Sequence, residues 1–153
     1  MKSNLKPISK IFLITSVPKT TWSSNNPNNV KPKLETFFFL CFGLFLFGLG
    51  ESILVISKNG VTPWTVLAEG IAKEFDIGVG LSTFYISCAV LILWFPLKLK
   101  PGLGTIMNII IIALTMGGLI PLIQFLNEIF NPLILSVLGT FVVAFCKWYL
   151  FNC

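Results

Sequence analysis

Apolar residues along this chain gather into four long runs, at positions 36–56, 79–97, 103–126 and 131–151, separated by short polar stretches. A hydrocarbon core ~30 Å thick needs about 20 apolar residues in a helix, so each run predicts a transmembrane helix. Membrane-spanning strands would be about half as long and would alternate apolar with polar positions. The expected fold is an all-α membrane protein with four transmembrane helices and a short amphipathic or re-entrant helix between the first and second.

That extra helix is read from the first loop. Asn59-Gly60 is a turn signal, Thr62 an N-cap candidate, and Pro63 suits a first helical position because its missing N–H costs nothing there. Trp64, Leu67, Ile71 and Phe75 then recur at helical spacing, Glu69 and Lys73 pair at i,i+4, and Gly78 closes the segment. A helix at about 63–75, lying on the outer leaflet or dipping into the protein, accounts for the pattern. In the third run Gly117-Gly118 precedes Pro121, which predicts a kink or break. Asn131-Pro132 opens the fourth run with the same cap-then-proline grammar as Thr62-Pro63.

Composition agrees with lipid as the solvent. Hydrophobic residues make up 55% of the 153 positions and charged residues 11%, with a mean hydropathy of +0.88; a soluble domain carries about 25% charged residues. The net charge of +5 is due to Lys, with no Arg and no His. Base readout favours Arg, and most of these Lys flank membrane runs, so no nucleic-acid partner is expected. The lipid bilayer is the expected partner, with a second copy or another membrane protein as the further expectation.

Residues 1–35 form a polar, Lys- and Asn-rich tail. Its apolar run at 11–17 resembles a signal peptide superficially but lacks an A-x-A-like cleavage site, leaving a weak surface-lying segment as the expectation. The tail carries Lys2, Lys6, Lys10, Lys19, Lys31 and Lys33, the second loop Lys98 and Lys100, and the C-terminus Lys147. In the first loop Lys58 and Lys73 are offset by Glu69, Glu74 and Asp76, and the third loop has Glu128. The positive-inside rule therefore predicts both termini on the cytoplasmic side of the membrane. Trp94, Trp148 and Tyr149 then fall near the inner interface, where amphipathic rings prefer to sit.

Glu51 is the sharpest candidate for chemistry. A carboxylate at the bilayer centre costs about 2.5 to 3.5 kcal/mol on insertion scales, and less toward the interface, so something must offset its presence in the first run. It is a candidate proton or cation carrier, against the plainer reading of an acid hydrogen-bonded to a neighbouring helix. Thr105 and Asn108 share a face early in the third run, as interhelical hydrogen-bonders or as solute ligands. The expected polar site comprises Glu51, Thr62, Pro63, Trp64, Thr105 and Asn108. Small residues expected at helix contacts are Gly43, Gly48 and Gly50 in the first run, Ala113 and Gly117 in the third, and Ser136, Thr140 and Ala144 in the fourth.

Other chemistry is not expected. Cys41, Cys88, Cys146 and Cys153 include no C-x-x-C pair, and without His there is no ordinary zinc set, so neither a metal nor a cofactor is predicted. With no Ser/His/Asp set, no phosphate-cradling Gly-rich loop and no close pair of carboxylates inside the membrane, an enzyme is not expected.

The strings Phe47-Gly48-Leu49-Gly50-Glu51, Gly60-Val61-Thr62-Pro63-Trp64-Thr65-Val66-Leu67, Trp94-Phe95-Pro96-Leu97 and Pro101-Gly102-Leu103-Gly104-Thr105, with Asn108, resemble the YczE/YyaS/YitT-type bacterial integral membrane proteins. The resemblance runs from about Phe38 to about Pro121. It implies a multi-pass inner-membrane protein of undefined activity, transporter-like for a small solute or ion, or alternatively a non-catalytic accessory or regulatory subunit that packs against a partner membrane protein. Family members usually have about five spans and a second half echoing the first, so the resemblance also implies a C-terminally truncated form. They often carry an acidic residue where this chain has Gly117, a departure that touches any function needing a carboxylate in the third span.

Overall fold

A computed structural model of the chain describes residues 33–94, 96–98 and 101–151. The expectations for residues 1–32 of the tail, with the 11–17 run, and those on Phe95, Lys100 and Cys153 lie outside the described residues, and the last two tail positions, Leu34 and Glu35, begin the first helix. Six helices follow in order: α1 Leu34–Ser57, α2 Pro63–Glu74, α3 Val79–Trp94, α4 Leu103–Ile123, α5 Leu126–Ile129 and α6 Pro132–Phe151. The described residues contain no strand.

Helices α1, α4 and α6 are each long and apolar enough to cross a membrane. The 16-residue α3 is not, since at 1.5 Å per residue it reaches about 24 Å. It joins α2 at a short break as a pair bent by 112°, the geometry of a broken span or re-entrant segment. The expected second span is thus divided from a preceding helix at this bend, and the described residues hold three helices long enough to cross, or four spans if the bent pair counts as one. At the break Asp76 takes the left-handed conformation at φ 51°. Ser82 Oγ donates to the Ala68 carbonyl at 2.7 Å and ties α3 back to α2.

Of the kink or break expected in the third run, the break is corrected. Helix α4 continues through Gly117, Gly118 and Pro121 to Ile123. Proline deletes one intrahelical hydrogen bond, whereas in lipid every further turn unwound would strip more backbone groups of partners. The flanking helix is therefore retained, and the break falls in the polar segment between α2 and α3.

Helix α1 is the hub, packed against α6 on one side and α4 on the other; α3 packs on α4, and α2 on α3. Close approach rests on small residues. A Cβ at Gly80 would stand 2.5 Å from Gly117 Cα and 2.6 Å from the Ala113 carbonyl oxygen, so α3 and α4 meet backbone to backbone. A Cβ at Gly50 would stand 2.7 Å from a Val143 methyl, where α1 meets α6. Nearby the Cys146 thiol donates to the Gly43 carbonyl at 2.7 Å.

Beside an apolar core that includes Leu44, Ile112 and Met116, burial departs from that of a soluble protein in two ways. Phe38, Phe42, Leu114, Phe141 and Trp148 are exposed, while Glu51, Ser52, Ser57, Thr65, Ser82 and Thr83 are buried. Lipid tails accept large apolar side chains at no cost, so small and polar groups are the ones that gain by facing other helices. Helix α2 follows the same rule. Its Trp64, Leu67 and Phe75 are exposed, and its protein-facing side is Thr65, Ala68 and Ala72.

Candidate functional site

The site is built where the start of α2 meets the middle of the bundle. Residues 58–62 turn the chain back after α1, with Lys58 left-handed at φ 55° and Gly60 at φ 149°, a value that glycine tolerates and L side chains rarely adopt. The turn brings Thr62 and the first residues of α2 down to Glu51, almost two turns before the end of α1.

Glu51 is 1% exposed. Its Oε2 accepts from Thr65 Oγ1 at 2.6 Å and from Thr62 Oγ1 at 3.0 Å, and the two threonine hydroxyls lie 3.1 Å apart. Thr62 therefore makes no side-chain cap to its own helix, although it occupies the N-cap position. The Glu51 carboxylate sits instead at the α2 N-terminus, where the partial positive charge of the helix end favours an anion. The two hydroxyl donors and the helix end are the groups here able to offset the cost of burying an acid.

The other carboxylate oxygen differs. Glu51 Oε1 is buried and has no hydrogen-bond partner among the described residues. Glu51 lines a cavity of about 270 Å³ whose wall combines Phe47 and Glu51 of α1, Thr62, Trp64 and Thr65 at the start of α2, Thr83 and Ser87 of α3, and Asn108, Ile112 and Met116 of α4. Thr83 Oγ1 donates to the Val79 carbonyl at 2.8 Å, with a longer contact to Met116 Sδ, and Ser87 Oγ donates to the Thr83 carbonyl at 2.7 Å. A second space of about 440 Å³ shares Phe47 and Asn108 with the first and runs on to Leu44, Lys147 and Leu150. Phe47 and Asn108 thus stand between the Glu51 cavity and the α6 C-terminal end.

Of the residues singled out from the sequence, Glu51, Thr62, Trp64 and Asn108 come together in this cavity. Pro63 opens α2 beside them and is exposed. Thr105 lies one turn before Asn108 and is not on the cavity wall. Sequence reasoning missed Thr65, the closest partner of Glu51, together with Phe47, Thr83 and Ser87. Thr65 stands three residues after Thr62, the spacing at which side chains share the first turn of a helix, and that was the available signal.

The small residues divide. Gly43, Gly48 and Gly50 of α1 face Leu150, Thr115 and Val143, and Ala113 and Gly117 of α4 face Gly80. Ser136, Thr140 and Ala144 line an open surface groove with Val137 and Phe141, and α6 meets α1 through Leu135, Gly139, Val143 and Cys146 instead. Thr140 Oγ1 bonds its own helix at the Ser136 carbonyl, 2.8 Å away. The Ser136 hydroxyl does the same toward Pro132 and Leu133 and receives only a long contact, 3.5 Å, from Asn59. Among the described residues no cluster of His, Cys, Asp and Glu has the makings of a metal site.

Comparison with known proteins gives kinship without an activity. An uncharacterized protein of Haemophilus influenzae is 39% identical over 129 residues, a match covering 84% of this chain and 58% of the relative. The chain thus spans little more than half the length of that relative. No solved structure matches. The model of the family of unknown function DUF6198 matches residues 34–153, the whole helical region, and the chain belongs to that family.

Proposed function

We propose that this protein is transporter-like, with Glu51 as the group that takes up a proton or cation inside the membrane. One observation carries the reading: a buried carboxyl group in the wall of a cavity shared by four helices is held at one oxygen by two hydroxyls and has no partner for its other oxygen among the described residues. A purely structural acid would gain by pairing both oxygens, because an unsatisfied buried acceptor costs about 1–3 kcal/mol, and more when charged. The α2/α3 pair supports the reading too, since discontinuous helices at a mid-membrane site recur in secondary transporters.

The lysine distribution supports both termini in the cytoplasm, and the family resemblance a bacterial inner membrane. On that topology the space beside Lys147 faces the cytoplasmic side and α2 the outer side. The motif resemblance to YczE/YyaS/YitT-type proteins belongs to the same reading. The test is proton-coupled flux in vesicles reconstituted with the full chain. Glu51→Gln, which keeps an acceptor for Thr65 but cannot ionise, is expected to abolish it, and unchanged flux removes Glu51 from the mechanism.

A second reading, an accessory subunit that binds another membrane protein, is favoured by the uncovered groove along Ser136, Thr140 and Ala144. Thr140→Phe is then expected to break a complex recovered in detergent while Glu51→Gln leaves it intact. Gly43 and Ala113 do not serve this test, because both already face the chain's own helices.

A further inference from the structure

The hydrogen-bonding inventory of the Glu51 cavity is lopsided. A hydroxyl has one hydrogen to give and two lone pairs to offer. The hydrogens of Thr62 and Thr65 are committed within the triangle they form with Glu51 Oε2, and those of Thr83 and Ser87 to backbone carbonyls or to Met116 Sδ. Lone pairs remain on all four, and Glu51 Oε1 is without a donor among the described residues. Against these acceptors, Asn108 and Trp64 are the lining residues whose side chains carry N–H groups. Glu51 is also the one charged residue among those lining the cavity, and no Lys reaches it.

Such a wall selects a donor-rich cation. It does not suit an anion, because the α2 N-terminus that would attract one already faces the chain's own carboxylate. A bare metal cation asks for a tight cage of six or more oxygens, whereas Phe47, Trp64, Ile112 and Met116 make much of this wall apolar. The volume of about 270 Å³ equals roughly nine waters at ~30 Å³ each, room for a compact organic body. Two of the apolar residues are aromatic, and their ring faces attract an ammonium or the atoms next to it.

We propose that the cavity binds a small organic monocation, a primary ammonium attached to a compact apolar body. The ammonium donates to Glu51 Oε1, and the body lies against Phe47, Trp64, Ile112 and Met116. The inference rests on Glu51 being the cavity-facing group of the proposed transport site, but binding is measurable without flux.

The test is calorimetric titration of the purified full chain in lipid nanodiscs with benzylammonium, against benzyl alcohol as the uncharged isostere, sodium chloride as the metal cation, and empty nanodiscs as the partition control. Saturable benzylammonium binding is expected, weakened about tenfold or more by Glu51→Gln. Benzyl alcohol is expected to show no saturable heat, and sodium no competition. Ser87→Leu fills the cavity without touching Glu51 and is expected to weaken binding as well, so it decides the matter should Glu51→Gln fail to fold. Equal binding of the alcohol, displacement by sodium, or full affinity in either variant overturns the proposal. Flux abolished by Glu51→Gln without any benzylammonium binding sinks the ammonium and leaves transport standing; benzylammonium binding without any flux does the reverse.

Discussion

Two helices of this protein begin with the same two-letter grammar and use it differently. At the start of α6, Asn131 Oδ1 accepts from the Leu133 N–H at 2.9 Å, the local cap that an Asn before Pro leads one to expect. At the start of α2, Thr62 sits in the same position but its hydroxyl turns to Glu51, eleven residues back, and its own helix goes without a side-chain cap. Asn131 stands at the exposed end of the bundle, and Thr62 at its middle beside a buried acid. At Thr62 the buried acid takes the hydroxyl that a local cap would have used, a stronger bond whenever Glu51 is ionised, since hydrogen bonds to a charged group are worth roughly twice those between neutral ones. A cap residue diverted from its own helix is thus a marker of a site.

The comparison breaks most severely if α3 is pushed off α4. Gly80→Val places a side chain against the Gly117 backbone, which has no rotamer with which to yield. Helix α3, and with it α2, must move, at a cost of at least about 1–3 kcal/mol. We expect loss of the monodisperse peak in detergent and of every Glu51-dependent signal.

Thr65→Val comes next. It removes the shortest bond to Glu51 and leaves a buried carboxylate less satisfied, for about 1–3 kcal/mol by thermal melting together with loss of Glu51-dependent flux. Asn131→Ala sharpens the contrast from the other side. Loss of an ordinary cap costs about 1 kcal/mol, and flux per folded molecule is expected to stay at the unmodified level. Should Asn131→Ala silence flux as Thr65→Val does, the two helix starts are equivalent and the distinction fails.

The smallest effect is expected from Thr62→Asn, which transplants the α6 arrangement onto α2. A new local cap offsets the weakened contact to Glu51, so the melting temperature should move by no more than about 0.5 kcal/mol allows, while flux falls. A flux unchanged within error would make the Thr62 contact incidental.

Much of this was legible in the sequence. Runs of about 20 apolar residues identify spans whatever their partners, because the bilayer sets the length. Glu51 is conspicuous for the same reason, as an acid in a run where acids are costly. Thr62-Pro63 and Asn108 could be singled out because polar groups and helix-start signals are rare in such surroundings. Thr83 and Ser87 could not. Hydroxyls in membrane helices bond their own preceding turn whether or not they line a cavity, as Thr140 does on the open face of α6.

Chain chemistry alone therefore determined that the medium is lipid, that helices are the elements, and which acid needed an explanation. Tertiary structure decided which faces meet. Along α6 the small-residue stripe Ser136-Thr140-Ala144 is the one the spacing recommends for a helix contact, yet packing against Gly50 and Leu54 selected the neighbouring stripe Leu135-Gly139-Val143. It also decided that α2 folds back onto Glu51 and that the break falls between α2 and α3 rather than at Pro121. The reason is common to all three: spacing fixes what lies on one face of one helix, but a hydrogen bond or a close approach between helices exists only once a second helix is in place.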